Sequence, residues 1–136
     1  MAGADIVALD ATGRPRLDGR SFAETVAALR EEETLVMADC GSFEDAQRAV
    51  DAGVDIVSTT LAGYTGDRPK TDGPDLELLE QTVQAFPGVP VICEGRIHTP
   101  EHAAAAMKLG AFAVIVGTAI THPTSVTGWF KAAVEN

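Results

Sequence analysis

Five short, almost continuously apolar runs alternate with longer amphipathic stretches along this chain. The runs at Ile6–Asp10, Leu35–Asp39, 55–60, 89–94 and 112–117 are β-branched and strand-sized, and their lack of polar alternation predicts parallel strands covered on both faces. The stretches between them carry helix-start signals. Ser21 precedes Glu24 and Ser42 precedes Asp45, both at capping-box spacing. Asp75 stands before LELLEQTVQAF, and Thr99 stands before Pro100 and Glu101, a cap residue followed by a proline at the first helical position. A last helix is predicted to begin near Pro123 or Thr124 and to carry Trp129, Phe130 and Val134.

The pattern also repeats itself. Ala2-Gly3-Ala4-Asp5-Ile6-Val7 returns as Ala52-Gly53-Val54-Asp55-Ile56-Val57, and more loosely as Leu109-Gly110-Ala111-Phe112-Ala113-Val114. In each copy the glycine is expected at the end of a helix with positive φ, leading straight into the next strand. The chain is thus a run of βα units that opens in the last turn of a helix. With 136 residues and 14.2 kDa it is a single domain, 1–136. Five units make either a doubly wound sheet or the back of a (β/α)₈ barrel, and a full barrel of about 200–250 residues implies that roughly three units are missing here.

Composition narrows the partners. Twenty acidic against ten basic residues give a net charge of −10, which repels nucleic-acid phosphates and anionic membranes unless the basic groups converge. The same field repels an anionic metabolite unless donors cluster locally. No apolar run is long enough to cross a bilayer, and the start MAGADIVALD lacks the basic flank of a signal peptide. A cytoplasmic α/β protein is therefore expected. Cys40 and Cys93 are isolated and expected as buried small hydrophobes, and two histidines, His98 and His102, flanking a helix start make a poor metal site.

Candidate chemistry collects at the predicted strand ends, where α/β folds bind ligands: Asp10, Asp39, Thr59-Thr60, Glu94-Gly95-Arg96 and Gly117-Thr118. A buried strand has no need to end in an acid, so the repetition is informative. Glu94 is the candidate proton donor or acceptor, and Arg96 the candidate partner of a ligand anion. Backbone N–H groups at Gly117 and Thr118, just before a helix, suit a phosphate, with His122 as a further donor when protonated. The Gly- and Pro-rich loop 61–74 is long for a βα connection and reads as a lid or a flexible insertion. Together these residues suggest proton transfer on a phosphorylated small molecule.

The segment Val91-Ile92-Cys93-Glu94-Gly95-Arg96-Ile97-His98-Thr99-Pro100-Glu101 resembles the EGR-x-x-TPE stretch of the N-acetylmannosamine-6-phosphate 2-epimerase family. AGADIVALDAT at 2–12, MADCGSFEDA at 37–46, IVSTTLAGYT at 56–65 and VGTAIT at 116–121 agree with it in the same order. The resemblance implies a partial TIM (β/α)₈ barrel, strands 4–8. It also implies an isomerase of sialic acid catabolism that interconverts N-acetylmannosamine 6-phosphate and N-acetylglucosamine 6-phosphate by moving the C2 proton, with no cofactor and no metal. Glu94 matches the family's catalytic glutamate, Asp39 a sugar-contacting position, and Gly117-Thr118 the phosphate turn. His122 stands where a basic residue usually follows, and a neutral imidazole would weaken phosphate affinity. The family's catalytic lysine has no match in Lys70, Lys108 or Lys131, so impaired turnover is expected of this chain alone.

Three other readings stay open at this level. One is another phosphate-binding barrel enzyme, a synthase or lyase acting on sugar phosphates. A second is a non-catalytic regulator with the doubly wound fold of response-regulator receivers. The third is a folded remnant that associates with itself, a homo-oligomer covering its open sheet edges.

Overall fold

The computed structural model describes residues 3–135. In chain order the elements are β1 (Ile6–Asp10), α1 (Phe22–Glu31), β2 (Leu35–Asp39), α2 (Phe43–Asp51), β3 (Ile56–Ser58), α3 (Leu76–Ala85), β4 (Val91–Glu94), α4 (Pro100–Lys108), β5 (Ala113–Ile115), α5 (Thr118–Thr121) and α6 (Pro123–Glu135).

Local chemistry sets the helix starts. Ser21 Oγ accepts from the Glu24 N–H at 3.2 Å and Glu24 returns the bond to the Ser21 N–H at 2.8 Å, a complete capping box. At α2 only half of the box forms. Ser42 Oγ accepts from the Asp45 N–H, but the Asp45 carboxylate takes the Gly41 N–H and the Arg48 guanidinium instead. Asp75 and Thr99 cap α3 and α4 through the N–H groups of Leu78 and His102. The repeated glycine ends its helix as the sequence predicts: Gly53 has φ +84° and Gly110 φ +95°. The next N–H, of Val54 or Ala111, reaches back to the carbonyl of Ala49 or Ala106.

All five strands are parallel and lie in the order β1-β2-β3-β4-β5. Right-handed crossovers between sequential neighbours put every connecting helix on one face of the sheet. A doubly wound sheet reverses its order partway to place helices on both faces, so the receiver-like reading is excluded. The expectation that both faces are covered is corrected for the same reason. Val36, Ala38, Val57, Val91 and Cys93 point at the helices and pack with Val26, Ala46, Ala49, Leu79 and Ala106, all almost fully buried. On the other face Ile6, Leu35 and Ile115 remain 47%, 46% and 38% exposed. Cys40 and Cys93 lie in the helix-side core as expected, and burial pushes both thiols up, away from thiolate chemistry. Among the described residues no helix is long and apolar enough to cross a membrane.

Candidate functional site

The uncovered face carries the polar strand ends. Strand register sets Asp10 beside Asp39, Asp39 beside Ser58 and Glu94 beside Ile115, and period-two alternation brings Thr60, two residues past Ser58, to the same face. Thr60 Oγ1 bridges the two carboxyl groups, 3.1 Å from Asp39 Oδ1 and 2.9 Å from Glu94 Oε2. Thr59 faces the opposite way and takes over where the β3–β4 ladder stops. Its hydroxyl accepts from the Glu94 N–H and donates to the Glu94 carbonyl, fixing the backbone that aims the carboxyl group.

The three acids differ. Burial raises the Asp39 pKa, the charges of Glu94 and Asp10 add to it, and the Thr60 hydroxyl only partly offsets them. Burial pushes Asp10 the same way, but bonds from the Thr12 hydroxyl, the Thr12 N–H and Arg14 outweigh it and hold Asp10 below its usual range. Asp10 is therefore engaged by its own loop.

Beyond this row, a pocket of about 240 Å³ opens between the ends of β4 and β5, lined among others by Thr60, Tyr64, Glu94, Arg96, Gly117 and Thr118. The structure thus brings Glu94, Arg96 and the Gly117-Thr118 turn to one cavity. Gly117 has open space where a Cβ would sit, so packing does not demand a glycine there. Thr118 opens α5, whose first N–H groups have no acceptor within the helix. His122 lies outside the pocket lining. Its Nδ1 pairs with Ser125 Oγ at 2.7 Å and faces the Ser125 N–H at 3.3 Å, the position of a cap on α6.

Arg96 lines the pocket with its donors turned onto the 61–74 loop. Nη1 donates to the Ala62 carbonyl, Nε to the Gly73 carbonyl and Nη2 to Thr71 Oγ1. Arg68 fastens the same loop to the start of α3 through Asp75 and Glu77. In this structure the loop is tethered at both ends. Its tethers hold the Tyr64 ring at the pocket wall, with Lys70 Nζ 5.2 Å from the ring centre. His98 and His102 are cap neighbours, the His98 N–H meeting His102 Nδ1, and the His98 ring lies 4.5 Å from Trp129 of α6. Two contributors escaped the sequence reading: Ser58, for which period two from Thr60 was the available signal, and Tyr64 as pocket wall.

The family model described as "Putative N-acetylmannosamine-6-phosphate epimerase" matches residues 1–136. A "Putative N-acetylmannosamine-6-phosphate 2-epimerase" of Cutibacterium acnes is 62% identical, covering 98% of this chain and 59% of the relative. A relative of the same description from Corynebacterium glutamicum is 48% identical, over 98% of this chain and 58% of its own. The solved N-acetylmannosamine-6-phosphate 2-epimerase from Clostridium perfringens matches with a TM-score of 0.90 and 43% identity, covering 95% of this chain and 56% of that one. The chain spans somewhat more than half the length of these relatives. Its five βα units form part of a (β/α)₈ barrel. The chain belongs to the N-acetylmannosamine-6-phosphate epimerase family.

Proposed function

We propose that this chain carries one side of an epimerase site that interconverts N-acetylmannosamine 6-phosphate and N-acetylglucosamine 6-phosphate. Glu94 exchanges the proton at C2, Asp39 faces the sugar, and the Gly117-Thr118 turn receives the phosphate. The carrying observation is that Glu94, Gly117 and Thr118 line one cavity at the carboxyl ends of parallel strands. A C2 proton is removable because the neighbouring C1 of a ring-opened sugar is an aldehyde, and a carboxyl group at the cavity wall is suited to take or return it. The exchange is redox-neutral and needs no cofactor. Arg96, held by the loop, shapes the cavity and adds positive potential on the anion's side. His122 joins the phosphate site only if it leaves Ser125. A sugar phosphate as substrate places the reaction in the cytoplasm.

In a two-group inversion a second proton-transfer group works from the opposite face of C2. Lys70 lies over Tyr64, Lys131 pairs with Glu135, Lys108 ends α4, and none of them lines the pocket. The chain alone is therefore expected to bind substrate but to turn it over poorly. The uncovered face with Ile6 and Leu35 and the edge strands β1 and β5 favour self-association.

Calorimetry of the full chain with N-acetylmannosamine 6-phosphate, beside the unphosphorylated sugar, tests the reading. Binding that requires the phosphate, with conversion in D₂O slow and abolished in Glu94→Gln, supports it. No binding at millimolar sugar phosphate overturns it.

A further inference from the structure

Thr60 Oγ1 has three polar neighbours: Ser58 Oγ at 2.6 Å, Glu94 Oε2 at 2.9 Å and Asp39 Oδ1 at 3.1 Å. The 2.6 and 2.9 Å contacts each hold a hydrogen between the two oxygens, and the hydroxyls of Ser58 and Thr60 supply these two. The 3.1 Å contact gains a hydrogen of its own when Asp39 carries a proton. Ser58 also lies 3.4 Å from Glu94 Oε2, too far to compete with its shorter contact to Thr60.

One arrangement satisfies every atom. Ser58 and a protonated Asp39 donate to the two lone pairs of Thr60, and Thr60 donates to the Glu94 carboxylate. A second is related by one concerted shift. The Asp39 proton passes to Thr60 Oγ1 while the original Thr60 proton passes to Glu94, so one O–H bond breaks and one forms at each transfer. The negative charge moves from Glu94 to Asp39, and Ser58 keeps its place. We propose that Asp39, Thr60 and Glu94 form a one-proton relay in which Thr60, a positioning residue, hands the proton between the two carboxyl groups. On the reading of Glu94 as the C2 acid/base, on which this role rests, the relay restores the Glu94 proton after its delivery to carbon.

The surroundings support a single shared proton. Asp10 on β1, held ionised by Thr12 and Arg14, repels a second charge at Asp39. On the helix side the Cys40 thiol stays neutral, its pKa raised by burial. On the pocket side Arg96 and His98 share the lining with Glu94, and the Arg96 donors face the loop.

The test is a pH titration of the ligand-free full chain, followed by NMR of carboxyl carbons labelled with ¹³C at Asp, which reads the raised Asp39 midpoint. In the relay the protonated Asp39 donates to Thr60, so Thr60→Val is expected to lower that midpoint by about one pH unit, a tenfold loss, and Thr60→Ser to retain it. An unchanged midpoint in Thr60→Val shows through-space repulsion alone, a higher one shows that Thr60 only donates to Asp39, and either overturns the relay. Should Thr60→Val fail to fold, Thr60→Ala removes the same hydroxyl and carries the same outcomes. Because no ligand is present, failure here leaves sugar-phosphate binding untouched, and absence of that binding leaves the titration untouched.

Discussion

The guanidinium carbon of Arg96 lies 5.1 Å from the centre of the Tyr64 ring, joining the end of β4 to the loop that follows β3. Arg96 adopts φ +54°, uncommon for a residue with a Cβ, and its three side-chain bonds to the loop reach both ends of the 61–74 segment. The backbone strain and the fork of donors serve one purpose: the cavity wall is set by the strand that presents Glu94.

Arg96→Lys keeps the charge and loses the fork, so it separates the two roles. Amide hydrogen exchange across 61–74 is expected to accelerate while the β2 and β4 amides keep their protection. Unchanged exchange in the loop would show that Arg68 alone holds it.

Asp75 and Asp39 are expected to tilt stability against pH in opposite directions. Burial raises Asp75, but Arg68 and the Leu78 N–H outweigh it and hold the carboxyl group below its ordinary value of 3.8. The unfolded chain thus binds the proton more readily. The contribution of Asp75 is complete above that value and is lost as pH falls through the lower, folded one. Asp39 is raised, so the folded chain binds the proton more readily. Its contribution is present at low pH and is lost as pH rises from the unfolded value through the folded one. Urea midpoints measured across the acid range should rise less steeply with pH in Asp75→Asn. In Asp39→Asn they should rise more steeply. Asparagine still caps α3, which isolates the charge at Asp75.

Much of this was legible from the chain. Asp39 and Glu94 end apolar runs, and Ser21, Thr99 and the repeated Gly53 and Gly110 announce helix ends through local chemistry that needs no distant partner. The loop tether was not legible. Arg96 meets Ala62 across 34 positions of sequence, a contact that only the adjacency of β3 and β4 creates. His122 reads as an anion donor in isolation, whereas Pro123 and Ser125 make it a cap. The apolar runs alone could not say which face of the sheet the helices leave open. That follows from the sequential strand order, and both candidate architectures satisfy the same periodicity.

The open face makes its own prediction. Leu79 is fully buried between α3 and the sheet, and Leu79→Ala is expected to cost about 2–5 kcal/mol. Ile6 lies on the uncovered face, and in samples dilute enough to keep the chain monomeric Ile6→Asn is expected to change stability by only about 0.5 kcal/mol. Urea denaturation compares the two directly. A comparable loss at Ile6 would mean that the face is covered in solution, and sedimentation of the same sample would show by how many chains.

Two glycines separate the demands of the fold from those of the ligand. Gly110 sits at φ +95°, and a Cβ there would come within 2.9 Å of Val83 Cγ1, so Gly110→Ala must both strain the backbone and displace a core side chain. A loss of more than about 1 kcal/mol is expected, visible as a lower urea midpoint. Gly117 has nothing within 4 Å of the added methyl group, so Gly117→Ala should lower that midpoint less than Gly110→Ala does. The same methyl group stands at the mouth of the cavity shared with Glu94, where a phosphate has to approach the backbone N–H of Thr118. Calorimetry should therefore show weakened sugar-phosphate binding in Gly117→Ala while the chain stays folded. Full binding in that variant would move the phosphate away from this turn and leave Glu94 without the anchor that orients C2 toward it.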